Sequence, residues 1–178
     1  MTARRILHAA LLAAALVALA APAAVAKDAT QQFFEQRLLT DKLTSKPIKQ
    51  LLQSGGGFVD KGVVFRDVTG DKRDDAIVRV QSGGVNGVVA IYVFSTANRK
   101  GGKLRAIFRT QSLMRASTRV LKDVVSYRTS RYAPGDELCC PSQVSQSTLA
   151  YDKDARRMRV KERVVFAPPP QAQAPPTG

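Results

Sequence analysis

The sequence predicts an α+β domain in which one or two amino-terminal helices pack on a mainly antiparallel, twisted β-sheet. Apolar residues recur at helical spacing as far as the glycine run 55–57, and from Val63 onward apolar and polar residues alternate as they do in strands. The connections in this second region are short and rich in glycine. Because they are too short to hold crossover helices, neighbouring strands should be antiparallel.

The first 26 residues have the three parts of a secretory signal peptide. Arg4 and Arg5 form the positive region, an apolar run follows from Ile6 to Leu19, and Ala24-Val25-Ala26 is a cleavage motif. We predict cleavage after Ala26 and a secreted or cell-envelope location. The alternative is an uncleaved membrane anchor, but its many alanines contribute little to insertion. No cysteine lies in or just after the apolar run, which excludes a lipid-modified amino terminus.

Residues 27–56 form the predicted helical segment. Asp28 can cap a first helix from Ala29 to Leu43, and Ser45 can cap a second short helix with Pro47 in its first turn. Apolar side chains share a face of each helix, at Phe33, Phe34, Leu38, Leu39 and Leu43 in the first and at Ile48, Leu51 and Leu52 in the second.

Residues 57–167 form the predicted antiparallel β domain. Strands are expected at 63–67, 75–81, 87–95, 103–110, 118–121, 124–133, 147–152 and 158–166. The strand Val88–Phe94 is apolar on both faces, which places it at the centre of the sheet with cover on each side; the amino-terminal helix is a natural cover. Residues 168–178, rich in Pro, Ala and Gln, are predicted to be a disordered tail.

The composition excludes several classes of enzyme. His8 is the only histidine and lies in the predicted signal peptide, so the mature chain cannot use a Ser-His-Asp or Cys-His mechanism or a His-ligated zinc site. No S-x-x-K pattern is present to supply a lysine-activated serine. We therefore predict a non-enzymatic protein without a cofactor, calcium being the one ion that the sequence suggests.

The mature chain is strongly basic. The 28 basic residues less Arg4 and Arg5 leave 26 against 14 acidic ones, a net charge of +12. This charge favours an anionic partner, such as an envelope polymer or a membrane surface, through attraction that salt weakens. Nucleic acid is not the expected partner. In the alternative interpretation the charge follows genomic composition and only keeps the protein soluble; the oligomeric state is left open.

An Asp-rich loop precedes the strand that begins at Asp75. Oxygen-bearing side chains have the one, three, five, nine spacing that lets a tight loop wrap a calcium ion, at Asp67, Thr69, Asp71 and Asp75. The loop resembles the short calcium loops of FG-GAP and related extracellular β repeats, although Lys72 stands where those loops usually have glycine. In the alternative, Gly70 adopts a positive φ and the carboxylates cap backbone N–H groups or pair with Arg73.

Cys139 and Cys140 are the only cysteines and are adjacent. Their α-carbons must lie about 3.8 Å apart, short of the usual disulfide range, so a bridge between them would close a strained ring that is easily reduced. Such a bond would suit a redox-sensitive latch. The alternatives are two reduced, buried thiols or cross-links between subunits.

The last predicted strand carries a row of cations. Period-two spacing places four of them on one face, at Arg157, Arg159, Lys161 and Arg163. Arg128 and Arg131 on a neighbouring strand extend this candidate polyanion-binding face. The alternative is a solvated sheet face that uses charge to block edge aggregation.

Three of these segments occur in an order that resembles the LppP/LprE type of actinobacterial exported proteins. The similarity covers Val63 to Phe166, through DVTGDKRDDAIVRVQSGG, VVAIYVF and RYAPGDELCCPS. Members with the lipoprotein name are tethered through an amino-terminal cysteine, which this chain lacks. The resemblance implies an envelope location and no particular reaction, and it singles out Asp67, Asp71, Asp75, Cys139 and Cys140.

Three hypotheses for function follow. The leading one is an exported, non-enzymatic domain that binds an anionic envelope polymer through its basic sheet face. The second is a redox-responsive or chaperone-like factor that uses the two adjacent cysteines. The third is a structural module that calcium stabilises.

Overall fold

A computed structural model describes residues 27–97 and 102–168 of the chain. The predicted signal peptide at 1–26 and all but the first residue of the predicted tail at 168–178 lie outside the described residues. Within the described ranges the chain forms two helices and eight strands, namely α1 Ala29–Thr40, α2 Lys46–Gln53, β1 Gly57–Val59, β2 Val64–Arg66, β3 Asp75–Ser82, β4 Val88–Ser95, β5 Arg105–Leu121, β6 Val124–Arg131, β7 Gln143–Asp152 and β8 Arg157–Phe166. The predicted α+β class is confirmed. Among these residues no helix is long and apolar enough to span a bilayer.

The first helix begins at the predicted cap and ends early. The Asp28 carboxylate accepts a hydrogen bond from the Gln31 N–H at 2.8 Å, and the Gln31 side chain accepts one from the Asp28 N–H at 3.2 Å, which together form a capping box. The helix ends at Thr40 because Asp41 has an extended backbone. The prediction of a helix to Leu43 is therefore wrong by three residues, and Leu43 is exposed.

The strands form one antiparallel sheet in the order β1-β3-β4-β5-β6-β7-β8, with β2 pairing beside β1 along the same strand β3. Strand β1 was not predicted, because three residues are too few to show alternation. Its first residue, Gly57, lies so close to β3 and α2 that an added Cβ would be 2.6 Å from the Gln81 carbonyl oxygen and from the Leu51 side chain.

Strand β5 is one long, bent strand, so the prediction of two separate strands at 103–110 and 118–121 is wrong. Its first part pairs with β4 and its last part with β6. Between them Ser112 and Arg115 have positive φ angles of 63° and 48°, which bend the strand. The Thr129 hydroxyl closes the bend, since it donates to the Met114 carbonyl at 3.0 Å and accepts from the Met114 N–H at 3.3 Å.

The bend folds the second half of the sheet over the first, so that β4 is buried on both faces. On one face the helices cover it, and Phe34 and Leu38 pack against Tyr92 and Phe94 in a first core cluster. On the other face a second cluster joins β4 to the far strands, with Ile91, Val93, Val125, Leu149 and Met158 among its members. The predicted central position of β4 is confirmed, and its second cover is the sheet itself.

Candidate functional site

The Asp67 carboxylate holds the Asp-rich loop through backbone N–H groups. Its Oδ1 accepts from the Gly70 N–H at 2.7 Å and from the Thr69 N–H at 3.2 Å, and its Oδ2 accepts from the Lys72 N–H at 2.8 Å. Burial raises the pKa of Asp67, but the N–H donors, of which those of Gly70 and Lys72 lower it most, bring it below the usual value of 3.8. Both oxygens are thus engaged by the loop that they close.

Asp75 is the innermost residue of the loop and is only 1% exposed. One oxygen, Oδ2, accepts from the Val68 N–H at 2.9 Å and from the Thr69 N–H at 3.0 Å. Burial raises the pKa of Asp75 above its usual value, although hydrogen bonds from the Ser95 side chain, the Val68 N–H and the Thr69 side chain oppose the shift. The side chain therefore anchors the loop to the start of β3.

These contacts correspond to the capping alternative for the loop. Gly70 has a φ of 78°, and the third carboxylate, that of Asp71, pairs with the Arg73 guanidinium at 2.7 Å. Lys72 also has a positive φ of 65°, a conformation that favours glycine, so the lysine has the backbone conformation of the glycine that calcium loops usually have there. The loop is closed by protein donors to the Asp67 and Asp75 carboxylates.

The two cysteines lie in an exposed loop between β6 and β7 and are joined by a disulfide bond. The Asp136 carboxylate organises this loop, since it accepts from the Ala133 N–H at 2.7 Å, from the Ser142 N–H at 2.7 Å and from the Ser142 hydroxyl at 2.6 Å. These hydrogen bonds, with that of the Ser142 hydroxyl first, lower the pKa of Asp136. Of the three predicted arrangements, the bridge between neighbours is the one present.

The predicted row of four cations on one face of β8 is wrong. Val160 pairs with Leu149 and Glu162 pairs with Thr148, so Lys161 is an extra residue in a β-bulge. A one-residue insertion moves every later side chain to the other face. Arg159 therefore lies on the outer face, whereas Arg163 pairs with the buried Ser147 on the inner side, its Nε donating to the Ser147 hydroxyl at 3.3 Å.

The predicted extension through Arg128 and Arg131 is also divided between the two faces, because the two residues are three apart on β6. Arg128 is on the outer face, where its Nε donates to the Gln146 side chain at 2.6 Å and its guanidinium lies 5.5 Å from the centre of the Phe166 ring. The structure therefore brings no continuous cation ladder together on this sheet.

A different group of arginines does come together, in a cleft between the first half of β5 and the start of β8. The cleft has a volume of about 570 Å³. Its floor includes Ile107 and Met158, each 4% exposed. Five arginines and no acidic residue are found among its described lining residues; the five, which define what we call the arginine groove, are Arg105, Arg109, Arg156, Arg157 and Arg159.

The charges of the arginine groove are only partly matched by protein groups. Arg159 Nε forms an ion pair with the Asp152 carboxylate at 2.7 Å, and the Arg105 guanidinium donates to the Arg156 carbonyl oxygen. Within the described structure, the Nε atoms of Arg105 and Arg109 are buried and have no hydrogen-bond partner. Buried donors without an acceptor are costly, so these two guanidinium groups are incompletely compensated by the protein.

Arg105 and Arg109 also line a second cleft of about 440 Å³ on the helix side of β5. There they meet Arg37 of α1 and the carboxylate residue Asp41. Arg37 is held in place because its guanidinium donates to the Leu104 carbonyl at 2.6 Å. Positive charge therefore continues around the free edge of β5 from the groove to the helix.

Sequence reasoning found Arg157 and Arg159 but missed Arg105, Arg109 and Arg156. The missing information is the approach of β5 to β8, which depends on the bend in β5 and has no local sequence signal. No protein-family model matches the chain, and no curated protein or solved structure is significantly similar to it. The resemblance to the LppP/LprE type therefore stays a prediction.

Proposed function

We propose that this protein is an exported, non-enzymatic domain that binds an anionic polymer of the cell envelope. The observation that carries the proposal is the arginine groove, in which five arginine residues and no acidic residue are found among the described lining residues of one cleft. The net charge of the chain, +14 before any cleavage, adds a long-range attraction for the same kind of partner.

Arginine suits this partner better than lysine would. Its planar guanidinium offers paired donors to phosphate and carboxylate groups, and it is hydrated weakly enough to enter a partly buried site. The groove is an open cleft along the edges of two strands, which suits an extended chain. Arg157 and Arg159 are about 7 Å apart along β8, a spacing at which successive anionic groups of a polymer can be contacted.

The test compares two double variants of β8 that remove the same charge from the same strand. Arg157→Gln with Arg159→Gln empties the outer wall of the groove, and Lys161→Gln with Arg163→Gln is the matched control outside it. We expect the first pair to lower clearly the salt concentration that elutes the protein from immobilised long-chain polyphosphate, and the second pair to have a much smaller effect. Equal shifts in the elution salt concentration for both pairs would show that binding depends on net charge alone, and would refute the arginine groove as the binding site.

Export is tested separately. The chain expressed with its native amino terminus should be recovered outside the cytoplasm and begin at Lys27, because cleavage is predicted after Ala26. Amino-terminal sequencing of the recovered protein measures this directly. An intact chain that still begins at Met1 inside the cell would contradict the envelope location and with it the choice of polymer.

A redox-responsive role is a second candidate, favoured by the exposed disulfide between Cys139 and Cys140. The loop that carries it contacts the sheet through Leu138, whose carbonyl accepts from the Tyr132 hydroxyl at 2.9 Å and from the Arg115 guanidinium. Reduction would thus alter a loop that touches the bend of β5.

Alkylation followed by mass spectrometry tests this second candidate. The purified oxidised protein should take up no alkylating reagent, and mild reductant should expose both thiols at a concentration that leaves an ordinary structural disulfide intact. Cys139→Ser with Cys140→Ser is the control, which should take up no reagent in either state. Two reactive thiols before reduction, or a bond that resists strong reductant, would exclude the latch.

A further inference from the structure

The surface beside α1 contains an apolar cleft that the proposed polymer site does not use. The cleft has a volume of about 350 Å³ and lies between α1, β2 and the residues just before β5. Phe33 and Phe65 flank it and are 51% and 52% exposed. Its other described lining residues are Ala29, Thr30, Phe34, Asp74, Ala76 and Leu104. Two half-exposed phenylalanines that flank one cleft form a contiguous apolar patch, and such patches mark binding sites.

The two exposed rings are held in place by the core. Phe34, only 3% exposed, lies between them, with its ring centre 5.1 Å from that of Phe33 and 6.5 Å from that of Phe65. Phe34 in turn packs on Phe94 of β4 at 5.3 Å. The cleft is therefore a preformed, aromatic-walled site rather than a surface that collapses when it is empty.

A basic cleft of about 360 Å³ adjoins the apolar one. It shares Phe33 and Leu104 with it and adds three cations, Arg37, Lys103 and Arg105. The hydrogen bond from Arg37 to the Leu104 carbonyl fixes one cation at the junction. Among the described lining residues of the two clefts Asp74 is the one carboxylate, and it belongs to the apolar cleft alone.

We propose that the two clefts together bind a single-chain anionic amphiphile, with its hydrocarbon chain between Phe33 and Phe65 and its phosphate or carboxylate head group at Arg37 and Lys103. A hydrophilic polymer would leave the aromatic walls without a partner, and a bilayer surface cannot enter a concave site. The basic cleft shares Arg105 with the arginine groove, but the proposed head-group contacts, Arg37 and Lys103, do not line that groove. The two proposals can therefore be tested separately.

Isothermal titration with dodecyl phosphate, kept below its micellar concentration, tests the proposal. We expect one molecule to bind per chain. Phe33→Gln and Phe65→Gln should each weaken binding about tenfold, because each removes apolar surface that the alkyl chain covers. Lys103→Gln should weaken the binding of dodecyl phosphate but leave the binding of the uncharged dodecyl maltoside unchanged. The matched control is Phe58→Gln, an exposed phenylalanine outside both clefts, which should bind as the unaltered protein does.

Two further titrations distinguish binding of the amphiphile from binding of its head group alone and from binding at the arginine groove. Inorganic phosphate alone should bind far more weakly than dodecyl phosphate, and Arg157→Gln with Arg159→Gln should leave dodecyl phosphate binding unchanged. Binding to phosphatidylglycerol vesicles without binding of the monomeric amphiphile would refute the proposal in favour of a membrane surface. Equal affinity for inorganic phosphate, or indifference to both phenylalanine variants, would refute it as well.

Discussion

Replacing Asp75 by alanine should destabilise the domain by about 2 to 4 kcal/mol. The magnitude follows from the Val68 N–H and the Ser95 hydroxyl, which lose the Asp75 carboxylate as acceptor in a site where its side chain is 1% exposed. The Thr69 N–H keeps its second, longer hydrogen bond to Asp67 at 3.2 Å. Each buried donor left without a partner costs about 1 to 3 kcal/mol. Relief of the burial of a charged carboxylate offsets part of the sum, since burial raises the pKa of Asp75.

Asp75→Asn separates the role of the oxygen from that of the charge. Both N–H groups donate to the same oxygen, Oδ2, and an asparagine oxygen in that place can keep both bonds. The asparagine variant should therefore cost no more than about 1 kcal/mol near neutral pH. The raised pKa favours the protonated form in the folded state, so the wild type gains stability relative to the asparagine variant as pH falls towards 3.8.

Urea unfolding followed by far-ultraviolet circular dichroism measures the free energy of unfolding of both variants. The control is Asp74→Ala, which changes the exposed neighbouring residue. The expected order of stability is wild type, then Asp75→Asn, then Asp75→Ala, with Asp74→Ala close to wild type. An asparagine variant as unstable as the alanine variant would show that the charge matters, as it would for a calcium ligand. An alanine variant as stable as wild type would refute the anchoring role altogether.

Two further predictions concern the helix-to-sheet junction and the Asp-rich loop. Gly57→Ala should destabilise the domain by about 1 to 3 kcal/mol, because its Cβ would collide with the Gln81 carbonyl and the Leu51 side chain; a melting temperature equal to that of wild type would contradict this packing. Asp67→Asn should lower stability at pH 7 and have little effect well below pH 3.8, because the lowered pKa of Asp67 makes its contribution present above 3.8 and lost as pH falls through the folded value. Denaturation at the two pH values measures it, and a deficit that does not shrink in acid would rule out the carboxylate as the cause.

Much of the fold is encoded locally, and those parts were predictable. The burial of β4 on both faces follows from a run of apolar residues, and the capping of α1 follows from Asp28 at its start. The positive φ at position 70 is likewise predictable from the residue type, since glycine alone adopts that angle without strain. Such features depend on a few neighbouring residues and little else.

The parts that failed depend on long-range pairing. Ser112 and Arg115 bend β5 at positive φ, which neither residue type predicts. The bulge at Lys161 is a property of the register between β7 and β8, and it reversed the face of Arg163. The meeting of Arg105 with Arg156 joins residues far apart in sequence. The arginine groove therefore had no signature in the order of its residues.

Strand β5 pairs with both halves of the sheet. Cleaving the backbone at its bend near Ser112 would therefore not yield two independently folded parts. A proteolytic nick there would leave Ile91 and Val93 in one fragment and their packing partners Leu149 and Met158 in the other. Each fragment would expose apolar side chains that only the other can cover. The domain should therefore melt in a single calorimetric transition, and the separated fragments should refold only when mixed.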